Sequence, residues 1–139
     1  MPWSSLTSSL MGISLLFVAG CRQELSIGSP TYRQVNSKTV RVEIPIAADD
    51  AKFIQGEEIY LTLTTHECES DSNRYPAEAF VGKYKVSDFG FPITRPWTLF
   101  HGDVPHEVFG RYSRPCLTLE GGGYSMKRVS SDPMPLRSS

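Results

Sequence analysis

No Lys, Arg, Asp or Glu occurs before Arg22, so all of these charged side chains of the 139-residue chain lie from that residue onward. Neither sign dominates there, with 14 Lys and Arg against 15 Asp and Glu. That balance excludes the basic footprint of a nucleic-acid binder and the acidic block of a solvating tail. The chain is too short for more than one ordinary domain, which excludes a large multidomain enzyme. It lacks a Gly-x-Ser-x-Gly elbow, and its serines gather near the two ends, so a serine hydrolase is disfavoured. No dozen-residue stretch keeps a 3.6-residue apolar period, which argues against an amphipathic-helix fold. Cysteine is scarce, at three residues, and none has a second cysteine at close metal-ligand spacing.

The longest uncharged apolar run is residues 10–20, Leu-Met-Gly-Ile-Ser-Leu-Leu-Phe-Val-Ala-Gly. As a helix it would cover roughly 16 Å, about half of a ~30 Å hydrocarbon layer, so it is a poor permanent span. It has the length of a signal-peptide core and ends at Val18-Ala19-Gly20-Cys21. These four residues resemble the lipobox of bacterial lipoproteins, in which small residues admit the signal peptidase and the cysteine is lipidated. The residues before the run carry no Lys or Arg, leaving the free amine as their only charge. The resemblance implies a leader over 1–20, acylation of Cys21 and, with Arg22 rather than aspartate next, an outer-membrane anchor facing the periplasm. Each buried acyl methylene contributes about 0.8 kcal/mol, so two or three chains hold stably. The alternative is that the run is a buried first element of a cytosolic domain, with Cys21 a small core residue.

Assigning Cys21 to lipid leaves Cys68 and Cys116 as an even pair for one disulfide. In an oxidising compartment it would close a 49-residue loop, for which chain entropy gives about 4 kcal/mol. Two free thiols, or metal ligands, are the other possibility.

Residues 21–37 are polar, with Gly28, Ser29 and Pro30 in the middle, and suit a flexible tether. From Lys38 the pattern changes. Val40, Val42, Ile44 and Ile46 alternate with Thr39, Arg41, Glu43 and Pro45, the period of a half-buried strand, and Ile59, Leu61 and Leu63 repeat it. Residues 47–52 break the first run with two aspartates, and 66–76 read as a long loop. Further strands are expected within 80–86, 91–100, 106–112, 116–120 and 124–129, separated by turn residues at 88–90, 102–103, 113–115 and 121–123. The expectation is an all-β domain over 38–130, a small antiparallel β-sandwich of about seven short strands, followed by a disordered tail over 131–139. Its general architecture is immunoglobulin-like. The landmarks of that family are displaced, however: Trp97 lies far from Cys68, and Tyr112 stands four residues before Cys116 rather than two.

Chemistry-bearing residues are sparse. His101-Gly102-Asp103-Val104-Pro105-His106 is the one place where histidine and carboxylate concentrate, and the glycine and proline within it suggest a turn between strands. A metal would need ligands converging at about 2.0–2.2 Å, which this spacing does not impose. Gly121-Gly122-Gly123 lacks the Lys-Ser/Thr of a phosphate loop and reads as a hairpin or bulge. No cofactor is implied. Most aromatics of the second half read as core, while Tyr75 and Trp97, with His101 and Asp103 on a neighbouring loop, are candidate partner-binding residues. The expected function is a non-enzymatic lipid-anchored lipoprotein that binds an envelope or secreted protein, with an inhibitor or immunity protein working through loops 67–76 and 100–105 as one form of that role. The other classes kept in view are an envelope or secretion-machinery assembly lipoprotein docking by edge strands, and a small-ligand, metal-binding or enzymatic lipoprotein using residues 101–106.

Overall fold

The computed structural model describes residues 22–139; residues 1–21, over which a leader and an acylated Cys21 are expected, lie outside the described residues. In chain order the elements are β1 (Arg22–Glu24), β2 (Thr31–Asn36), β3 (Thr39–Ala47), α1 (Ala48–Gly56), β4 (Tyr60–Glu67), β5 (Tyr75–Glu78), β6 (Phe80–Val81), β7 (Tyr84–Lys85), a single 3-10 turn (Val86–Asp88), β8 (Trp97–Pro105), α2 (His106–Phe109), β9 (Pro115–Gly122), β10 (Arg128–Ser130), β11 (Met134–Pro135) and β12 (Arg137–Ser138). They make two six-stranded sheets. The first runs β1-β10-β9-β4-β5, with β11 also pairing β9, and the second runs β12-β2-β3-β8-β6-β7.

The all-β sandwich is as expected, but its sheets are mixed and its strands number twelve. Two corrections explain the difference. The segment read as a tether instead supplies β1 and β2, with Leu25 buried and an isolated bridge from Ile27 to Ile46. Asp50 pins it further, accepting from the Ser26 N–H at 2.6 Å and from Gln23 Nε2 at 2.9 Å. The segment read as a disordered tail supplies β11 and β12 and buries Leu136. β1 joins β10 and β12 joins β2 in parallel, and every other pairing is antiparallel. β11 and β12 have no buried side chain of their own, nor does β1 at Gln23 or Glu24, so these short strands leave no apolar period in the sequence.

β3 alternates as its sequence demands, sending Val40, Val42, Ile44 and Ile46 into the core. Opposite them β4 and β9 contribute Leu61, Leu63, Leu117 and Leu119. The breaker after β3 is in fact α1: Ala48, Ala51 and Ile54 share its buried face, and Asp49 and Asp50 in the first turn complement the helix dipole. No helix among the described residues is long and apolar enough to cross a membrane.

The turn expected at residues 102–103 is absent. β8 runs straight through it, paired with the whole of β3 from Ala47 opposite Trp97 to Thr39 opposite Pro105. Gly102 faces inward against the first sheet; a Cβ there would meet Ala77 Cβ at 3.0 Å and the Glu78 carbonyl oxygen at 3.1 Å. The glycine serves packing between the sheets rather than a turn. Residues 106–112, expected as a strand, form α2 and a connection, while 124–127 form the turn before β10.

Candidate functional site

β8 turns alternate residues outward, so Trp97, Leu99, His101 and Asp103 stand in one row on the outer face of the second sheet. Three of the expected partner-binding residues, Trp97, His101 and Asp103, therefore share a surface, although as strand residues and not as a loop. Tyr75 is not among them. It lies on β5 of the first sheet, opposite the buried Thr65, and is partly buried against the core.

The register places a partner beside each member of the row. Asp103 opposes Arg41, His101 opposes Glu43 on one side and Phe80 on the other, Leu99 opposes Pro45, and Arg33 opposes Arg41 from β2. Arg41 grips Asp103 with both arms, Nε to Oδ1 at 2.8 Å and Nη2 to Oδ2 at 3.1 Å, and Arg33 Nε bonds Glu43 Oε1 at 2.9 Å. The hydrogen bond from Arg41 holds the Asp103 carboxyl below the usual carboxylate range and raises the guanidinium in return. The His101 ring stacks on Phe80, with centroids 5.6 Å apart and planes inclined by 16°. Its burial there, and secondarily the Arg41 charge, push its pKa down, so the ring is uncharged at neutral pH.

The face is thus divided along β8. At one end Trp97 is 44% and Leu99 48% exposed, beside Pro45 and Phe80; at the other the charges are already paired within the sheet. Planar aromatic and aliphatic groups next to fixed ion pairs are chemistry for burying a partner side chain. His106 opens α2 and does not join His101. Among the described residues no group of three or more His, Cys, Asp or Glu is placed to hold a metal ion.

The disulfide between Cys68 and Cys116 is present, with Cα atoms 4.9 Å apart. Beside it lies a buried network that sequence reasoning missed. His66 is fully buried on the first sheet, its Nδ1 3.0 Å from the Glu67 carbonyl oxygen and 3.2 Å from Asp71 Oδ1. Both neighbours are acceptors, which places a proton on Nδ1, and Nε2 lies within hydrogen-bond distance of the Thr118 hydroxyl at 2.8 Å. A Thr-His-Asp chain of this kind has the connectivity of an activated nucleophile. The Leu119 N–H, next along the chain from Thr118, is already donated to Ser131 Oγ at 2.9 Å, and Thr118 lies within the β4–β9 ladder opposite Thr64.

The network instead fixes the loop after β4. Tyr112 contributes, its buried hydroxyl donating to the Asn73 carbonyl oxygen at 2.7 Å, while Glu67 accepts the N–H groups of Ser113 and Arg114. Those two backbone donors lower the Glu67 pKa. Asp71 and Asn73 take left-handed backbone angles, which short polar side chains tolerate. These partners stand as far apart as His66 and Thr118, so nothing in local spacing signals them.

No family model, curated protein or solved structure matches the chain.

Proposed function

We propose that this protein is a non-enzymatic, lipid-anchored periplasmic lipoprotein that binds a protein partner through the outer face of the second sheet. The observation that carries the reading is the row Trp97, Leu99, His101 on β8, where two large apolar side chains remain half-exposed on a face whose charges are internally paired. Burying both would remove enough apolar surface to anchor an interface, and preformed ion pairs spare the partner the cost of ordering them. The partner is an envelope or secreted protein that presents an apolar projection to this face. Neutralising a toxin or lytic enzyme is the role that best suits a small inert domain on a membrane. Docking by strand addition is less well served, because the edge strands β1, β5, β7 and β12 have only two to four residues to offer.

A photo-crosslinking residue placed at Leu99 in cells tests the face, with the same residue at Thr62 on the opposite sheet as the control. A discrete adduct from position 99 that disappears with Trp97→Ala supports the reading. Adducts from position 62 alone, or none from position 99, overturn it. The anchor is tested separately by labelled palmitate, which should enter the wild type and not Cys21→Ser.

A further inference from the structure

We propose that the β9–β10 turn, residues 123–127, is a membrane-contact surface by which the domain rests on a phospholipid bilayer. The inference depends on the lipid-anchored reading and adds to it an orientation. β1 begins at Arg22, so Cys21 is one peptide, about 3.8 Å between Cα atoms, from a strand built into the first sheet. No tether separates an acylated Cys21 from the domain. Because β1 and β10 are parallel with Arg22 opposite Arg128, the chain enters both strands at the same end of the sheet. The residues leading into β10 are those of the turn, and acyl chains on Cys21 would draw this end to the headgroups.

The turn has the composition that such a position demands. Tyr124 is 82% and Met126 76% exposed, the two most exposed large hydrophobic side chains among the described residues. Neither is adrift. The Tyr124 ring meets Tyr60 edge-on at 5.8 Å, the Gly123 N–H bonds the Lys127 carbonyl oxygen at 3.1 Å, and the Met126 N–H bonds the Gly123 carbonyl oxygen at 3.2 Å. Tyrosine suits the boundary between hydrocarbon and headgroup, where its ring is buried and its hydroxyl stays wet. Arg128 follows directly, beside Arg22, and offers positive charge to anionic phosphates, while Lys127 is shared with Glu57 at 2.9 Å. The opposite end of the sheet carries the 68–74 loop with Glu69, Asp71 and Arg74, and no exposed large hydrophobic among the described residues. The two ends differ as a membrane-facing and a water-facing end should.

The test uses the full processed protein in vesicles of phosphatidylethanolamine and phosphatidylglycerol, with bimane attached at Met126→Cys or, as the control, at Ser70→Cys in the far loop. Mass spectrometry first establishes whether Cys21 carries acyl chains. With acylated protein, lipids bearing a nitroxide near the headgroup should quench bimane at 126 several-fold more strongly than at 70, and Tyr124→Ser should reduce that difference. Equal quenching at the two positions in acylated protein overturns the inference and leaves the anchor standing. An unmodified Cys21 overturns both.

Discussion

Replacing Cys68 and Cys116 together by alanine should lower the melting temperature steeply while leaving the native fold intact. The bond closes a 49-residue loop, which by chain entropy raises the free energy of the unfolded state by about 4 kcal/mol. A 118-residue domain has a net stability of about 6–18 kcal/mol and an unfolding entropy near 0.25 kcal/mol/K, so the loss corresponds to a fall of about 16 °C. The native junction has other supports. The Cys68 N–H bonds the Arg114 carbonyl oxygen at 2.9 Å, Glu67 accepts two backbone donors across the same gap, and the β4–β9 ladder runs to its edge. The effect should therefore come from the unfolded chain. Calorimetry of the oxidised wild type and the double variant, with far-ultraviolet circular dichroism at 20 °C, measures both halves. A melting temperature lowered by less than about 3 °C would refute the entropic argument. So would a variant with no cooperative transition, because the ladder would then not hold the junction alone.

Gly102→Ala should destabilise by about 1–3 kcal/mol, because its Cβ presses on the Glu78 backbone as well as on Ala77; unchanged denaturant midpoints would show that the sheets can part there. Leu136→Ala should cost about 2 kcal/mol or more in the same assay, whereas a free tail would cost nothing. The dependence of melting temperature on pH should have two stages. His101 has a folded pKa below its ordinary value of about 6.5, so the unfolded state binds the proton first and stability declines as pH falls below that value. Asp103 and Glu67 are also depressed, so their contribution is complete above about pH 4.3 and is lost only as pH falls through their folded values. His101→Gln should abolish the upper stage and keep the lower one; a curve unchanged by that substitution would mean the ring titrates as it does in water.

What was legible in the sequence is what the core writes there directly. β3 carries four inward residues in alternation, Val40, Val42, Ile44 and Ile46, and Leu61 and Leu63 repeat the period in the first half of β4, a pattern that belongs to strands; the second half of β4 is buried on both faces and breaks it. The disulfide followed from parity once Cys21 was set aside. Illegible features depend on partners distant in the chain. Gly102 looks like a turn because glycine permits one, yet its role is set by Ala77 and Glu78 on the opposite sheet. The ends of the described chain look unstructured because each borrows its order from a strand already formed: β1 from β10, β12 from β2. Trp97, His101 and Asp103 were singled out together with Tyr75, but that the three share a face, and that Tyr75 lies on the other sheet, required knowing that β8 does not turn.

The loss of the tether changes what the proposed binder can reach. A flexible 16-residue linker would let the domain wander by about 20–24 Å from its anchor, and a partner could be met at any angle. Under the proposed anchor, with β1 in the sheet immediately after Cys21, the height available would be that of the sandwich, and nine residues of β8 at about 3.3 Å each give roughly 30 Å. Trp97 lies at the end of β8 where α1 begins, and β4 starts at Tyr60 shortly after α1 ends, so Trp97 and the Tyr60–Tyr124 pair belong to the same end of the domain. The partner face would then be low, side-on to the bilayer, and suited to a protein already at the membrane surface. Inserting a Gly-Ser linker of about 15 residues between Arg22's preceding cysteine and β1 should leave the isolated face as competent as before, because the fold is untouched, while weakening capture of a membrane-bound partner. Capture that is indifferent to the insertion would show that the partner approaches from solution and that the short anchor is incidental to binding.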